Sequence, residues 1–152
     1  MDFFGAITAF GTFFTAVAVG VGVLQLKTTE NELELIQKQA RTSFEDDLSR
    51  EYRSIVATLP AEAFYRGGIK KLDDQTRRAF FRYFDLSNEQ LFLAKLGRIS
   101  SETQEQWEDG ILGNLRLPAF ANAWTELLEH LPDDFFDDLR AFLATTDRNV
   151  HS

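Results

Sequence analysis

The sequence predicts an all-α protein: one N-terminal transmembrane helix followed by a cytoplasmic helical bundle of about five helices. Three observations carry that reading. Residues 3–26 hold no charged side chain. Beyond them, apolar residues recur every three to four positions, which is the helical period. No alternating β-branched run, the mark of a half-buried strand, occurs after residue 26.

The uncharged stretch reads FFGAITAFGTFFTAVAVGVGVLQL, 24 residues. As a helix it is about 36 Å long, against roughly 30 Å of bilayer hydrocarbon. Its polar content is Gly, Thr and one Gln25. A cleavable leader starts with a positive region, whereas this chain starts Met-Asp-Phe-Phe. A buried core helix of such length is out of scale with so small a domain. The expected organisation is therefore a transmembrane helix at 1–27, a long membrane-proximal helix at 28–59, a helical bundle at 60–146 and a polar tail at 147–152.

Flanking charge sets the expected orientation. Lys27, Lys38 and Arg41 follow the span, and no basic side chain precedes it. Positive residues stay inside. The amino terminus is expected outside the inner membrane, with residues 27–152 in the cytoplasm and the lipid bilayer as a partner.

Small residues recur at four-residue spacing in the span: Gly5 with Ala9, Ala16 with Gly20, and Ala18 with Gly22. Small side chains let helix backbones approach closely, which favours association in lipid. A homo-oligomer is expected, with Thr8, Thr12 and Thr15 as the candidate polar lining of any pore. Gly, Ala and Thr are also ordinary components of single membrane helices.

After the span, Leu33, Ile36, Ala40, Phe44, Leu48, Tyr52, Ile55 and Leu59 form one helical stripe that Pro60 closes. This helix is either continuous with the span or broken near Thr28-Thr29. Gly67-Gly68 marks a turn. Asp73 or Asp74 caps a helix over 75–96 that Gly97 ends. Ser100 or Ser101 caps the next, to about Leu115. Pro118 starts another, and Pro132 with Asp133 and Asp134 starts the last. The polar end from Thr145 is expected to fray.

Composition narrows the chemistry. The chain of 152 residues carries 16 basic and 24 acidic side chains, a net charge of −8, which argues against a broadly basic binder of duplex nucleic acid. It has no Cys, so disulfides, thiolate metal sites and Cys nucleophiles are excluded. No cofactor fingerprint or phosphate loop occurs.

Four clusters are candidates for function. Arg66, Lys70, Lys71, Arg77, Arg78 and Arg82 form a basic island that could bind an anion, a nucleotide or lipid headgroups; a solvated or ion-paired face is the plainer reading. Asp85, Asn88 and Glu89 sit in an aromatic-rich helix and need partners if buried, with Arg98, Arg116 and the two Trp indoles as donors. Asp133, Asp134, Asp137 and Asp138 could chelate a cation, yet acids at a helix start are accounted for by the dipole. Arg148 stands close before His151, and Arg116, His130 and Arg140 complete the short list for nuclease chemistry; none has that chemistry's Arg-to-His spacing.

The motifs Tyr83-Phe84, Glu89, Gly97-Arg98-Ile99, Trp107-Glu108 with Gly110, Leu117-Pro118-Ala119-Phe120 and Trp124 resemble an uncharacterised family of small bacterial single-span membrane proteins. Those have an N-terminal membrane helix and a cytoplasmic helical domain. In layout the chain is also similar to the pore-forming membrane accessory proteins of RNA-targeting CRISPR systems. The resemblance implies a membrane-anchored oligomer serving phage defence. The leading expectation from the sequence is a non-enzymatic protein that perturbs or gates the inner membrane when a protein or a nucleotide binds the bundle. The alternative expectation is a membrane-tethered adaptor or ligand-sensing module whose span is only an anchor.

Overall fold

The computed structural model describes residues 3–69 and 71–150, with side chains at 29–69 and 71–146. Five α-helices and one 3-10 helix occur, and no strand is found among the described residues. They are α1 (Phe3–Val56), α2 (Asp74–Lys95), α3 (Ser101–Leu115), α4 (Pro118–Leu128) and α5 (Asp137–Val150), with the 3-10 helix at Ala61–Phe64. The all-α expectation holds. The count differs because α1 runs unbroken through Thr28-Thr29, so the expected span and membrane-proximal helices are one element.

The chain divides into two compact units, Met1–Thr42 and Ser43–Ser152. In the first, the side chains described from Thr29 to Thr42 are all exposed, with Leu33 at 53% and Ile36 at 59%. Among the described residues, no helix is long and apolar enough to cross a membrane. The expected span lies outside the residues whose side chains are described. So do Gly5, Ala9, Ala16, Ala18, Gly20, Gly22, Thr8, Thr12 and Thr15.

The second unit folds around α2, which packs against α3, α4 and α5. Asp73 caps α2 by accepting from the Thr76 amide at 2.7 Å. That bond holds the Asp73 carboxyl below its usual value. At the other end Gly97, at φ +66°, closes the helix. The Gly97 amide donates to Ala94 and the Arg98 amide to Leu93, the paired bonds of a left-handed glycine stop. Gly68 is also required: its φ is +59°, and a Cβ there would meet the Pro118 Cβ at 3.1 Å.

The core is aromatic. Phe80, Tyr83, Phe84 and Phe120 are at most 1% exposed. Phe120 meets Phe80 and Tyr83 edge-on, each at 5.0 Å between centroids, and Trp124 meets Phe84 at 5.0 Å. Burying each such ring contributes about 1.5–3 kcal/mol, with edge-to-face pairing adding roughly 0.5–1.5 kcal/mol. The stripe on α1 joins this core through Leu48 and Ile55. Glu45 secures α3 to α1, accepting from the Ser100 amide at 2.6 Å and the Thr103 hydroxyl at 2.8 Å.

One boundary corrects the sequence reading. The last helix starts at Asp137, not at Pro132, because Phe136 takes a left-handed φ of 60° and breaks the turn before it. Burial of the Phe136 ring against Phe81 and Trp124 offsets that strain. At the other end, α5 continues past Thr145 to Val150. A side chain from α2 supplies an acceptor at the start of α5: the Asn88 Oδ1 accepts from the Leu139 amide at 3.0 Å.

Candidate binding cavity

On α2, Tyr83, Ser87 and Gln90 are spaced i, i+4 and i+7, so they share one helical face, which borders the aromatic core at Tyr83. This face looks into a cleft of about 310 Å³ closed by the last turns of α1 and by α3. Tyr52 and Arg53 come from α1, and Trp107, Gly110 and Ile111 from α3. Its lining contains one cation, Arg53, and no carboxylate.

Three groups of this lining are held by the fold. The Asn114 Nδ2 donates to the Tyr83 hydroxyl at 3.0 Å and to the Tyr52 hydroxyl at 3.3 Å. The Ser87 hydroxyl donates to the Tyr83 carbonyl at 2.9 Å. Burial pushes the Tyr83 phenol up to about 12, while hydrogen bonds with Asn114 and Ser87 act the other way. Tyr83 is therefore a neutral polar wall at physiological pH.

Gln90 differs. It is 4% exposed, yet its carboxamide has no hydrogen-bond partner among the described residues. The carboxamide is not sealed off, however: among the described residues the buried side-chain polar atom without a partner is the Arg140 Nη2, so the Gln90 amide keeps contact with solvent. Its open side faces the cleft. Arg53, exposed at the rim, has no ion pair among the described residues.

In the basic island, the surroundings of Arg77, Arg78 and Arg82 are defined. Arg77 is engaged, with its guanidinium 2.8 Å from Glu126 and 2.6 Å from Asp74. The bond to Glu126 raises its pKa. Arg78 and Arg82 line an open cleft of about 580 Å³ together with Asp74. Arg66 and Lys71 are exposed, and Lys70 lies outside the described residues.

The expected buried network at Asp85, Asn88 and Glu89 is not found. Asp85 and Glu89 are exposed on the strip of α2 that also bears Arg82. Only Asn88 is half-buried, and it serves as the α5 cap. Trp107 lines the cleft, Trp124 packs in the core, and Arg98 and Arg116 are exposed.

The nuclease candidates are separated in role. Arg140 Nε donates to the Phe135 carbonyl at 2.8 Å, and His130 Nδ1 pairs with the Glu126 carbonyl at 2.9 Å. His151 and the Arg148 side chain lie outside the described residues. The acidic cluster is likewise dispersed: Asp137 and Asp138 occupy the first turn of α5, and Asp138 pairs with Lys95 at 3.1 Å. No group of acidic or His side chains among the described residues is placed to hold a metal ion.

Comparison of the chain with known protein families, curated proteins and solved structures finds no match. The cleft was missed by sequence reasoning. The available signal was the polar spacing of Tyr83, Ser87 and Gln90 within an otherwise apolar helix.

Proposed function

We propose that the chain is a membrane-tethered helical module whose folded unit binds a small polar ligand. Residues 3–26 serve as the anchor in the inner membrane, with the amino terminus outside and the bundle in the cytoplasm. The observation that carries the binding role is Gln90, nearly fully buried and unpartnered, facing the cleft between α1, α2 and α3. Its carboxamide keeps contact with solvent, so water in the cleft completes its hydrogen bonds until a ligand with matching groups takes that place. The role is binding and not catalysis, because the lining offers no carboxylate, His or Lys to move a proton. The anchor rests on the 24 uncharged residues and the basic residues that follow them.

Cell fractionation tests the anchor. The full-length product, still carrying Met1, is expected in the membrane fraction and released only by detergent. Recovery in the soluble fraction without detergent sinks it. Replacing residues 1–26 with an unrelated single span is expected to leave ligand binding unchanged.

A second reading is favoured by one observation, the exposed Leu33 and Ile36 on α1. In it, spans associate through their small residues, α1 helices pair along this apolar strip, and the oligomer perturbs or gates the bilayer, as the layout shared with pore-forming accessory proteins suggests. Depolarisation on expression is its signature. Loss of oligomers with depolarisation unchanged in a Gly20→Leu, Gly22→Leu variant would rule it out.

A further inference from the structure

We infer that the cleft between α1, α2 and α3 takes a mononucleotide: Gln90 reads the edge of the base, and Arg53 holds the single phosphate at the rim. This rests on the binding role proposed above and adds the chemical class of ligand.

Four features of the cleft select that class. The Gln90 carboxamide offers a donor and an acceptor side by side, both free. That pair matches the adjacent donor and acceptor on the edge of a nucleobase, as side-chain amides do when they read bases. Trp107 and Tyr52 supply aromatic surface to the same cleft. Aromatic side chains stack on any base with little sequence preference.

Charge sets the number of phosphates. Arg53 is the lone cation of the lining, and no carboxylate opposes it. One unpaired guanidinium suits one phosphate, and on a chain of net charge −8 nothing else at the cleft neutralises a di- or triphosphate. Size agrees. A cleft of about 310 Å³ lies at the small end of ligand sites, which run roughly 300–1,000 Å³, too small for a dinucleotide.

Other ligands leave groups unsatisfied. An acyl chain would bury Gln90 without a partner. A metal cation would meet no carboxylate. Inorganic phosphate would engage Arg53 and leave Gln90 and Trp107 unused.

The test uses the full chain, in detergent where needed, carrying Trp124→Phe. The chain has two Trp residues, so Trp107 becomes the lone indole and its fluorescence reports the cleft. AMP, GMP, CMP and UMP, their nucleosides and inorganic phosphate are titrated separately. At least one monophosphate is expected to quench Trp107 saturably, and its nucleoside to bind on the order of tenfold more weakly, the size of one charge-assisted hydrogen bond. Arg53→Gln should bring the monophosphate down to the nucleoside's affinity. Gly110→Leu should abolish quenching. A Cβ at Gly110 meets nothing within 4 Å, so the new side chain enters the cleft without displacing backbone.

Three results overturn the inference: no monophosphate quenches Trp107 at millimolar concentration, Gly110→Leu binds as well as its parent, or inorganic phosphate competes as well as the nucleotides. The unfolding midpoint of Gln90→Leu separates the two levels. If that variant keeps its stability while nucleotides fail, the ligand class is wrong and the binding role stands. If it loses stability, the carboxamide is structural and the binding role fails too.

Discussion

Helix α2 has two working sides that follow opposite rules. Toward α4 and α5 it presents Phe80 and Phe84 to Phe120, Trp124 and Phe136, and every ring finds another ring. Toward α1 and α3 it presents Ser87, Gln90 and Tyr83, whose ring also meets Phe120, to a cleft, and the Gln90 carboxamide has no protein partner among the described residues. The first side is closed and supplies stability through burial. The second is open and keeps an amide without a protein partner in contact with solvent. Under the binding role proposed above, the aromatic side serves folding and the polar side recognition.

Substitutions at each place test that assignment, and the aromatic side should respond most. Phe120 is fully buried and contacts rings from α2 and the 3-10 helix. Phe120→Ala is expected to lower stability by about 3–5 kcal/mol, read from urea unfolding. A loss under about 1 kcal/mol would mean that the core is not where the stability resides.

The cap that α2 lends to α5 comes next. Asn88→Ala removes the acceptor for the Leu139 amide and is expected to cost about 0.5–2 kcal/mol. Amide exchange in the first turn of α5 should quicken in the same variant. Unchanged exchange would remove Asn88 from that role.

A smaller effect appears only on acidification. The Asp73 carboxyl is held below its ordinary value by the Thr76 amide. Its contribution is complete above the ordinary carboxylate value and is lost as pH falls through the lowered folded value. Asp73→Asn keeps a capping acceptor without the titration. Its thermal midpoint should therefore fall less steeply than that of the parent through the acid range. Parallel curves would show that the cap bond does not perturb the carboxyl.

Much of the fold was legible because it depends on local chemistry. Asp73, Gly97, Ser100 and Pro118 announce helix ends through caps and backbone preference, and the structure places ends there. The start of α5 was not legible. Pro132, Asp133 and Asp134 carry a helix-start signal, but burial of the Phe136 ring imposes a left-handed residue that no local preference favours. Asp85 and Glu89 were misplaced for a similar reason: an apolar helix centre looks buried on all sides until its neighbours leave one strip uncovered.

The cleft depends most on tertiary structure. Arg53, Gln90 and Gly110 come from three helices, and nothing in the local sequence of any one says that the other two are adjacent. The basic island shows the converse, that neighbours in sequence can take different partners. Its residues are close in sequence, but Arg77 turns to Glu126 on α4, while Arg78 and Arg82 line a different cleft.

The central claim is that Gln90 serves a ligand and not the fold, and Gln90→Leu tests it most directly. Leu fills a similar volume and has no polar atoms to satisfy. The account predicts an unfolding midpoint in urea equal to or above that of the parent, with an unchanged slope. A drop in the midpoint worth about 1 kcal/mol or more would show that the carboxamide supports the folded chain, and would contradict the account.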